Sequence, residues 1–526
     1  MSRLFRPARF AEAVLLGLLA AGSAAAADAD THAPAVPRFV DAASALPGPP
    51  HVYAGGWEHF VGGGVSVFDC NGDHRPDIVA AGGSEPARLY VNATPPGGPL
   101  AFTAGPPLPG ATETTGLWPL DLDGDGILDL AMLRVGPNRL LAGAGDCSFA
   151  DASARWGFVS DDRWSTAFSA TFEPGADRPT LAIGNYVDRA DPDGPFEACD
   201  DNLLYRPGPE GYAAPVTLAP GHCALSMLFS DYARRGRADL RISNDRHYYV
   251  RGGYEEMWRM PDLTPLGPAE GWDKISIWGM GIASRDLTGD GLPEVVLTSM
   301  GDQLMMIATP DGYEMAPYTI GTFAQRPFLG DDGRPSTGWH AEFADVNNDG
   351  LADLFIAKGN VDQMPTNAIA DPNNLLIQRP DGTFFEAADT AGVASLARSR
   401  GAALADLDGD GTLDLVVVNR RAPLELWHNR GPAGGALTVT PRTHGPNSYA
   451  IGAFVERRRA DGSLETREIT VGGGHGGGTL GPVHFGLGTA PSADIRIVWP
   501  DGTASAWTTL AAGTHTEIWR GADLAH

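Results

Sequence analysis

Polar loops alternate with short apolar runs along most of the chain. Each loop follows or approaches the pattern Asp-x-Asp/Asn-x-Asp-Gly-x-x-Asp, and a short apolar run comes directly after it. Such a run, bounded by Gly and Asp turn signals, is typical of a buried β-strand. The seven loops, numbered in chain order, are residues 69–77 (loop 1), 121–129 (loop 2), 173–180 (loop 3), 231–239 (loop 4), 286–294 (loop 5), 345–353 (loop 6) and 406–414 (loop 7). Loops 3 and 4 keep only part of the pattern.

The loops repeat with a nearly constant period. Successive loops start 52 to 61 residues apart, and such a period held over seven units indicates a repeat architecture. Each unit also has a second apolar run after the loop, and many units have a glycine-containing segment before the loop and an aromatic-led segment at the end. Four short β-type segments per unit, repeated radially, predict a β-propeller.

The seventh unit lacks a closing strand of its own, because Leu424–Asn429 runs directly into the linker 431–435. A matching segment, Phe39–Ser44, lies before loop 1 and resembles the segment that starts at Phe149. We expect this N-terminal strand to complete the last blade and cover an edge that would otherwise pair with other chains. The predicted fold is all-β: a seven-bladed β-propeller closed by an N-terminal strand and followed by a small C-terminal β-domain.

Three segments are predicted along the chain. Residues 1–27 are typical of a secretory signal peptide, with arginines at the start, a short apolar core and three alanines before Asp28. Residues 28–430 are the propeller, and 431–526 are the C-terminal β-domain and tail. Strands of the C-terminal domain are expected at 437–441, 451–459, 465–471, 483–487, 494–499 and 514–520. The mature protein is expected to be secreted or periplasmic, without membrane insertion once the signal is removed.

The net charge and the number of cysteines indicate which partners the protein can bind and which compartment it occupies. The formal net charge is −27 at pH 7, and a surface this acidic repels nucleic acid and anionic lipid but suits divalent cations. An even number of cysteines, four, in an exported chain indicates two disulfides. Sequence alone allows three pairings, of which we predict Cys70–Cys147 and Cys199–Cys223.

The loops have the chemistry of calcium sites. Oxygen side chains at positions 1, 3, 5 and 9 of a tight loop can converge on one hard cation, and calcium takes six to eight oxygen ligands. Glycine at position 6 permits the left-handed turn that folds the ligands inward. Loops 1, 2, 5, 6 and 7 therefore predict about five Ca²⁺ sites. The predicted ligands are Asp69, Asn71, Asp73, Asp77, Asp121, Asp123, Asp125, Asp129, Asp286, Thr288, Asp290, Glu294, Asp345, Asn347, Asp349, Asp353, Asp406, Asp408, Asp410 and Asp414.

Other interpretations of the loops make different predictions. An EF-hand needs Glu at position 12 and flanking helices; position 12 is apolar here and the flanks are strand-like, so that interpretation fails. Asp-rich turns that bind no ion are the alternative for any single copy, whereas five copies with one ligand spacing favour metal binding. Loops 3 and 4 are not expected to bind. In loop 4 the guanidinium of Arg235 is a candidate substitute for the ion, through pairing with Asp231 or Asp239.

The loops resemble the FG-GAP or VCBS-type calcium loops of integrin-α-like propellers. Four segments near the C-terminus resemble the ASPIC/UnbV domain: Asn447–Ala453, Arg467–His475, His484–Gly488 and Val498–Gly502. Together the two parts, over about residues 39–520, resemble the cartilage acidic protein and UnbV family of exported repeat proteins. The resemblance implies a calcium-binding extracellular propeller and implies no established reaction. The chain departs from the family in its two eroded loops and in the absence of an EGF-like module.

Two classes of function follow from these features. The first is a calcium-dependent binding or adhesion module whose partner is an extracellular protein or glycan. The second is an enzyme of lyase or hydrolase type that acts on an extracellular polysaccharide or other exported polymer, with Asn244–Tyr249 as a candidate acid–base loop. No catalytic residue is assigned, because His340, His475 and His484 are expected to be structural. Gly472–Gly477 matches a dinucleotide fingerprint by spacing alone, since no strand–helix unit frames it.

Overall fold

The structure is a computed structural model that describes residues 34–192, 198–245, 253–323, 334–362, 364–431 and 433–521. The predicted signal peptide lies outside these residues. Strands dominate throughout, as the repeated apolar runs predict. Helical structure in the described part of the chain consists of one short α-helix, α1 (Ala388–Ala391), and 3-10 turns at Ala43–Ala45, Trp57–His59, Pro268–Glu270 and Tyr318–Ile320. No helix among the described residues is long and apolar enough to cross a membrane.

The strands of the repeat region follow the predicted periodicity. In the first half they are β1 (Phe39–Asp41), β2 (Val65–Phe68), β3 (Asp77–Ala80), β4 (Arg88–Asn92), β5 (Phe102–Ala104), β6 (Thr114–Leu120), β7 (Asp129–Arg134), β8 (Arg139–Gly143), β9 (Phe149–Asp151), β10 (Ser165–Thr171), β11 (Thr180–Asn185), β12 (Asn202–Tyr205), β13 (Pro207–Gly208), β14 (Gly211–Tyr212) and β15 (Val216–Leu218). In the second half they are β16 (Ala224–Ser230), β17 (Asp239–Asn244), β18 (Glu256–Arg259), β19 (Thr264–Pro265), β20 (Gly279–Arg285), β21 (Glu294–Ser299), β22 (Leu304–Thr309), β23 (Gly312–Met315), β24 (Gly338–Ala344), β25 (Asp353–Lys358), β26 (Asn374–Gln378), β27 (Phe384–Glu386), β28 (Ser399–Ala405), β29 (Asp414–Asn419) and β30 (Glu425–Asn429).

Apart from β13 and β14, which pair in a two-stranded sheet, these strands form four-stranded antiparallel sheets, consistent with a propeller. The sheet orders are β2-β3-β4-β5, β6-β7-β8-β9, β10-β11-β12-β15, β16-β17-β18-β19, β20-β21-β22-β23, β24-β25-β26-β27 and β28-β29-β30-β1. Each numbered loop joins the first and second strand of its sheet. The first strand of a sheet packs beside the first strand of the next, and β28 packs beside β2. Each sheet is open, and none closes on itself within the described ranges.

The N-terminal segment pairs as predicted. β1 lies antiparallel to β30, with Phe39 opposite Asn429 and Asp41 opposite Trp427. Phe39 is buried in a cluster with residues of the last two sheets, such as Leu415, and of the connection between them, such as Val393. The strand that completes the last sheet therefore comes from the opposite end of the repeat region.

Both predicted disulfides are present, Cys70–Cys147 and Cys199–Cys223. Their Cα atoms are 4.8 Å apart in each case, within the range that an unstrained bridge requires. Cys70–Cys147 joins the first two sheets across loop 1. Cys199–Cys223 joins the segment before β12 to the start of β16, so each bridge links two neighbouring sheets.

Removing the second bridge is expected to destabilise the chain measurably. Cys199 and Cys223 are 24 residues apart, and closing a loop of that length is worth about 3 kcal/mol in the chain-entropy description. The double substitution Cys199→Ser/Cys223→Ser should therefore lower the free energy of unfolding by about 3 kcal/mol in denaturant titrations. An unchanged unfolding midpoint would show that the bridge does not constrain the unfolded chain.

Within its described residues, 433–521, the C-terminal domain contains seven strands in two sheets. They are β31 (Gly435–Arg442), β32 (Phe454–Arg458), β33 (Leu464–Glu468), β34 (Val483–Gly488), β35 (Ser492–Val498), β36 (Thr508–Ala511) and β37 (His515–Trp519). The sheet orders are β34-β31-β37, with β31 and β37 parallel, and β33-β32-β35-β36. β36 was not predicted, because its residues are all at least partly exposed and carry no apolar run. The domain and the repeat region belong to one compact unit, Ala35–His526.

A glycine-rich segment of this domain, residues 471–478, inserts among the first strands of the repeat sheets. It makes isolated β-bridges to β6, β10, β16 and β20. Glycine is needed because the backbones approach closely: a Cβ on Gly64 would lie 1.5 Å from the Gly476 carbonyl oxygen. At the middle of the segment, His475 is fully buried. The glycine spacing that mimics a dinucleotide fingerprint thus serves backbone packing.

Candidate metal centres

Position 1 of each acidic loop sets the loop's shape. In loop 2, Asp121 accepts hydrogen bonds from the backbone N–H groups of Gly124 (2.7 Å) and Gly126 (2.9 Å). Both glycines have positive φ, +80° and +88°, which a residue with a Cβ rarely adopts. The N–H of position 6 reaches the position-1 carboxylate in all five acidic loops. In loop 1 that position is His74, which adopts φ +61°.

Position 5 presents its carboxylate outward. In loop 2 the side chain of Asp125 is exposed and accepts the Ile127 N–H at 2.8 Å. The same bond from position 7 to position 5 recurs in the other four acidic loops. One carboxylate oxygen is thereby used by the backbone, and in loops 1 and 6 the other accepts the position-3 amide.

Position 9 ties the loop to its sheet. Asp129 accepts the N–H of Leu122 at 2.7 Å and that of Gly143, in β8, at 2.9 Å. Asp77, Glu294, Asp353 and Asp414 make the same pair of bonds to their own loop and third strand. Each carboxylate oxygen keeps a second lone pair, so these groups can accept backbone bonds and still face a cation. Sequence reasoning assigned them only the second role.

Two loops bring ligand atoms together most closely. In loop 2, oxygens of Asp121, Asp123 and Asp129 lie within 4.8 Å of one another. Two oxygens bound to one calcium at 2.3–2.6 Å are at most about 5.2 Å apart, so this spacing fits a single ion. In loop 7 the close group is Asp408, Asp410 and His428.

His428 was missed by the sequence analysis. It lies on β30, and its Nε2 is 3.1 Å from Asp408 Oδ2. The side chain is largely buried. Its only signal in the sequence was its place in the strand after loop 7, fourteen residues past the last predicted ligand, where no spacing rule applies. Loop 7 therefore has an imidazole beside its oxygen ligands.

Loops 1 and 6 hold their position-3 amides against position 5. Asn71 Nδ2 donates to Asp73 at 3.2 Å, and Asn347 Nδ2 donates to Asp349 at 3.0 Å. In loop 1 the guanidinium of Arg75 also pairs with Asp73. Loop 1 therefore already carries a cation of its own and is the least open of the five. In loop 5, Asp286 and Asp290 have the same backbone bonds as in loop 2, with Thr288 at position 3 and Glu294 at position 9.

In the two eroded loops, arginines pair with loop carboxylates. In loop 4, Asp231 accepts the N–H groups of Arg235 and Gly236, so the turn keeps its shape. The pairing proposed for Arg235 is wrong: its guanidinium donates to the Pro310 carbonyl, and Arg237 pairs with Asp239 at 2.7 Å. Arg237, at position 7, reaches the Asp239 carboxylate at position 9, whereas Arg235, at position 5, points away from it. In loop 3, Arg206 pairs with Glu173.

Burial strongly perturbs the carboxylates of the acidic loops. It raises the pKa of Asp77 to about 7, of Asp129 to about 8 and of Glu294 to about 7, and neighbouring loop carboxylates add to the effect. Burial likewise raises the pKa of Asp345 to about 7 and of Asp406 to about 6. Groups that hold protons so tightly lack a compensating positive charge. A divalent cation would supply it.

These shifts predict a pH dependence that calcium reverses. Without metal, the folded chain binds more protons than the unfolded chain between about pH 4, the ordinary carboxyl pKa, and about pH 8, the pKa of Asp129. The free energy of unfolding should therefore fall as pH rises through this window. With calcium, which binds the deprotonated form, it should rise. Melting curves at pH 5 and pH 8, with calcium and with chelator, test this; parallel pH trends in the two conditions would contradict it.

The three singled-out histidines have structural contacts. His475 Nε2 accepts the Gly62 N–H and its Nδ1 donates to the Met280 carbonyl, each at 3.1 Å; burial lowers its pKa to about 3. His340 Nδ1 accepts the His475 N–H. His484 Nε2 donates to the carbonyl of Gly411, in loop 7. The candidate acid–base loop 244–249 lies mostly outside the described residues, since 246–252 are not described.

The C-terminal domain covers the loop edge of the sheets. Ser448 donates to Asp121, Arg442 to the carbonyl of Gly126, and Arg459 to the carbonyl of Gly350. A cavity of about 1040 Å³ lies between the domain and the repeat sheets, lined in part by residues of loops 1, 2, 5 and 7. The candidate metal centres therefore face the C-terminal domain.

Two family models match the chain. The FG-GAP-like repeat model matches residues 69–132, 286–356 and 345–417, and the ASPIC and UnbV model matches 443–524. The chain combines FG-GAP-like repeats with a C-terminal ASPIC/UnbV domain. The family resemblance is thereby confirmed. The matched FG-GAP segments contain loops 1, 2, 5, 6 and 7, whereas loops 3 and 4 lie outside them.

Curated relatives of this FG-GAP and ASPIC/UnbV chain include cartilage acidic protein 1. Over 109 residues the chain is 33% identical to the proteins of Mus musculus and Homo sapiens. The aligned part is 20% of this chain, 17% of the mouse protein and 16% of the human protein. The chain thus matches a minor part of these relatives.

Solved structures with similar strand layout share little sequence with the chain. BBS1N in complex with ARL6DN is 11% identical, with a TM-score of 0.43, over 74% of this chain and 97% of that chain. An Agrocybe aegerita lectin that recognises non-reducing terminal N-acetylglucosamine is 16% identical, with a TM-score of 0.41, over 69% of this chain and 93% of that chain. Likeness at this level carries no functional argument.

Proposed function

We propose that the protein is an exported, calcium-binding β-propeller of seven blades that acts as an interaction or adhesion module. One observation carries the calcium part: five loops of common shape gather buried carboxylates on one edge of the sheets, and in loop 2 three of them lie within 4.8 Å. Like charges this close repel strongly in a partly desolvated site. A calcium ion in each loop removes that repulsion. The ligands are the twenty side chains predicted from the sequence, with loop 1 the weakest site because Arg75 competes for Asp73.

The seven-bladed, closed ring is supported by sheet order and packing. The repeat region has seven four-stranded sheets whose first strands are neighbours in sequence order, and β28 lies beside β2. β1 supplies the outer strand of the last sheet. Joining the two ends of a repeat array in this way leaves no unpaired terminal blade.

Export is supported by the disulfides. Two bridges that link neighbouring sheets form and persist in oxidising compartments such as the periplasm or the extracellular space. Residues 1–27 have the composition of a signal peptide.

The partner is expected to bind at the edge opposite the loops, since the C-terminal domain covers the loop edge. There the indole of Trp57 is 47% exposed and packs on Trp164, with ring centroids 4.9 Å apart. Beside it Arg189 pairs with Glu58 and Asp162, at 2.6 and 2.7 Å. A fixed aromatic ring surrounded by hydrogen-bonding charges suits a glycan or a polar protein surface.

A binding screen tests the module. Immobilised glycans and purified extracellular proteins are screened with the full chain in calcium and in chelator, and with Trp57→Ala. We expect binding in calcium, loss in chelator, and at least a tenfold loss with Trp57→Ala. Val216→Ala, which truncates an exposed side chain on an outer strand, serves as the control and should bind normally. Binding that is indifferent to calcium, or no binding at all, would contradict the proposal.

A further inference from the structure

We propose that loop 4 and the residue before loop 5 form a two-point cationic key that fixes the rotational orientation of the C-terminal domain on the repeat sheets. The key consists of Arg234 and Arg285. It rests on the proposed ring of seven similar blades: a covering domain could sit on such a ring in several rotated positions, and some feature must select one.

The two arginines are unique among the seven copies at their positions. Position 4 is glycine in loops 1, 2, 5 and 7 and Asn348 in loop 6, and only loop 4 has arginine there. The residue immediately before position 1 is apolar or serine in every copy except loop 5, where it is Arg285. Loop 4, which lacks the full ligand pattern, therefore carries a positive charge on the sheet next to the second arginine.

Both arginines bind acids of the C-terminal domain. Arg234 Nη2 is 2.7 Å from Glu456 Oε1, and its guanidinium lies 4.0 Å from the ring of Phe454. Arg285 Nη2 is 2.6 Å from Glu465 Oε1, with both side chains almost fully buried. Glu456 and Glu465 lie on the paired strands β32 and β33. Two acids on adjacent strands thus meet two cations on adjacent sheets.

A third acid strengthens the same contact. Glu468 accepts the Ser230 hydroxyl at 2.6 Å and the backbone N–H of Asp231 at 2.7 Å. Burial raises the pKa of Glu468 to about 7. The start of loop 4 therefore binds a third acid of the domain.

At the acidic loops the charges are reversed, because there the domain supplies the basic side chains. Loops 2 and 6 receive arginines on the carbonyls of Gly126 and Gly350, and loop 7 receives an imidazole on the carbonyl of Gly411. Rotating the domain by one blade toward loop 5 would place Glu456 on an acidic loop, where it would meet carboxylates in place of Arg234. Like-charge contacts of this kind reject wrong registers.

Backbone hydrogen bonds of the glycine-rich segment show whether the contacts of the key are intact. The N–H of Gly473 bonds to the Met227 carbonyl and that of Gly474 to the Ile282 carbonyl, both at 2.7 Å. These partners lie on β16 and β20, the strands that carry loop 4 and Arg285. Loosening the key should therefore open these two hydrogen bonds first.

The experiment is hydrogen exchange on the full chain, in calcium, with three variants. Arg234→Ala is expected to raise exchange in residues 471–478 by at least tenfold and to leave β6–β9 unchanged. Arg235→Ala is the matched control, because Arg235 lies in the same loop and its guanidinium contacts Pro310 rather than the domain; it should leave the segment protected. Arg234→Gly separates backbone from charge, because Arg234 has φ +53°, which glycine adopts without strain; it should behave like Arg234→Ala.

A double-mutant cycle with Glu456→Gln completes the test. Glu456 also pairs with Arg496 at 2.6 Å, so Arg234→Ala does not leave it without a cation. The double variant should exchange no faster than Glu456→Gln alone, because that change already removes the contact that Arg234→Ala breaks. Equal exchange in the Arg234→Ala and Arg235→Ala variants, or additive effects in the cycle, would overturn the key. If one of these results appears in a chain that binds calcium normally, only the key is rejected. If the variants behave as expected in a chain that binds no calcium, only the proposed function is rejected.

Discussion

Removing calcium is expected to lower the melting temperature of the whole chain by about 10 °C. At roughly 1 mM calcium and a Kd of about 10⁻⁴ M, each site stabilises the folded state by about 1.4 kcal/mol. Five independent sites give about 7 kcal/mol, comparable to the entire stability of an ordinary domain. In a chain of this size, each kcal/mol of lost stability should lower the melting temperature by somewhat less than the roughly 2–4 °C seen in 150–250-residue domains.

The structural reason is the double role of position 9. Asp129 and its equivalents hold loop, second strand and third strand together through two backbone bonds, and they also face the other loop carboxylates. Without metal these buried groups must either keep a proton or repel their neighbours. Loss of calcium should therefore loosen the sheets themselves as well as the loops.

Calorimetric scans in calcium and in chelator check this prediction, with single-loop variants as controls. Asp125→Ala and Asp410→Ala should each remove about one fifth of the calcium-dependent stabilisation, which is about 1.4 kcal/mol. Asp231→Ala, in the eroded loop 4, should leave the calcium-dependent part unchanged. A melting temperature indifferent to chelator would mean that the loops are only turns.

Deleting residues 28–45 is expected to cause aggregation and loss of cooperative unfolding. The deletion removes β1, so β30 loses the partner strand that pairs Phe39 with Asn429. An unpaired edge strand is a template for association with other chains. Phe39 is buried beside Val393 and Leu415, so its loss also opens the core between the last two sheets.

A shorter deletion provides the control. Removing only residues 28–33 leaves β1 intact and should give a monomer with unchanged melting. Size-exclusion chromatography and thermal unfolding distinguish the two deletions. A monomeric 28–45 deletion with the melting temperature of the full chain would show that β1 does not close the repeat array.

Features encoded within a few residues were predictable from the sequence. The loops required only the spacing of Asp and Gly, and the strands after them followed from apolar runs such as the one after Asp414. The pairing of β1 with β30 followed from one missing and one surplus strand. Both disulfides were predicted from where the cysteines fall in the repeats. In each case the determining interactions lie within one repeat or are implied by the period.

Features that depend on contacts distant in the chain were not predictable. His428 approaches Asp408 only because β30 pairs with the strand after loop 7. Arg237, rather than Arg235, pairs with Asp239 because the outward direction of position 5 is set by the folded turn. The glycine-rich segment 471–478 matched a nucleotide motif by spacing alone and was given no role, since nothing in its own sequence records the backbones it packs against. The double use of position 9 likewise needs the third strand in place.

The number of calcium ions bound per chain tests the account most directly. The full chain is desalted into dilute calcium and analysed by inductively coupled plasma mass spectrometry against protein concentration, with Asp410→Ala and Asp231→Ala in parallel. The account predicts about five ions for the full chain, one fewer for Asp410→Ala and no change for Asp231→Ala. Fewer than three ions per chain, or equal counts in all three proteins, would contradict it.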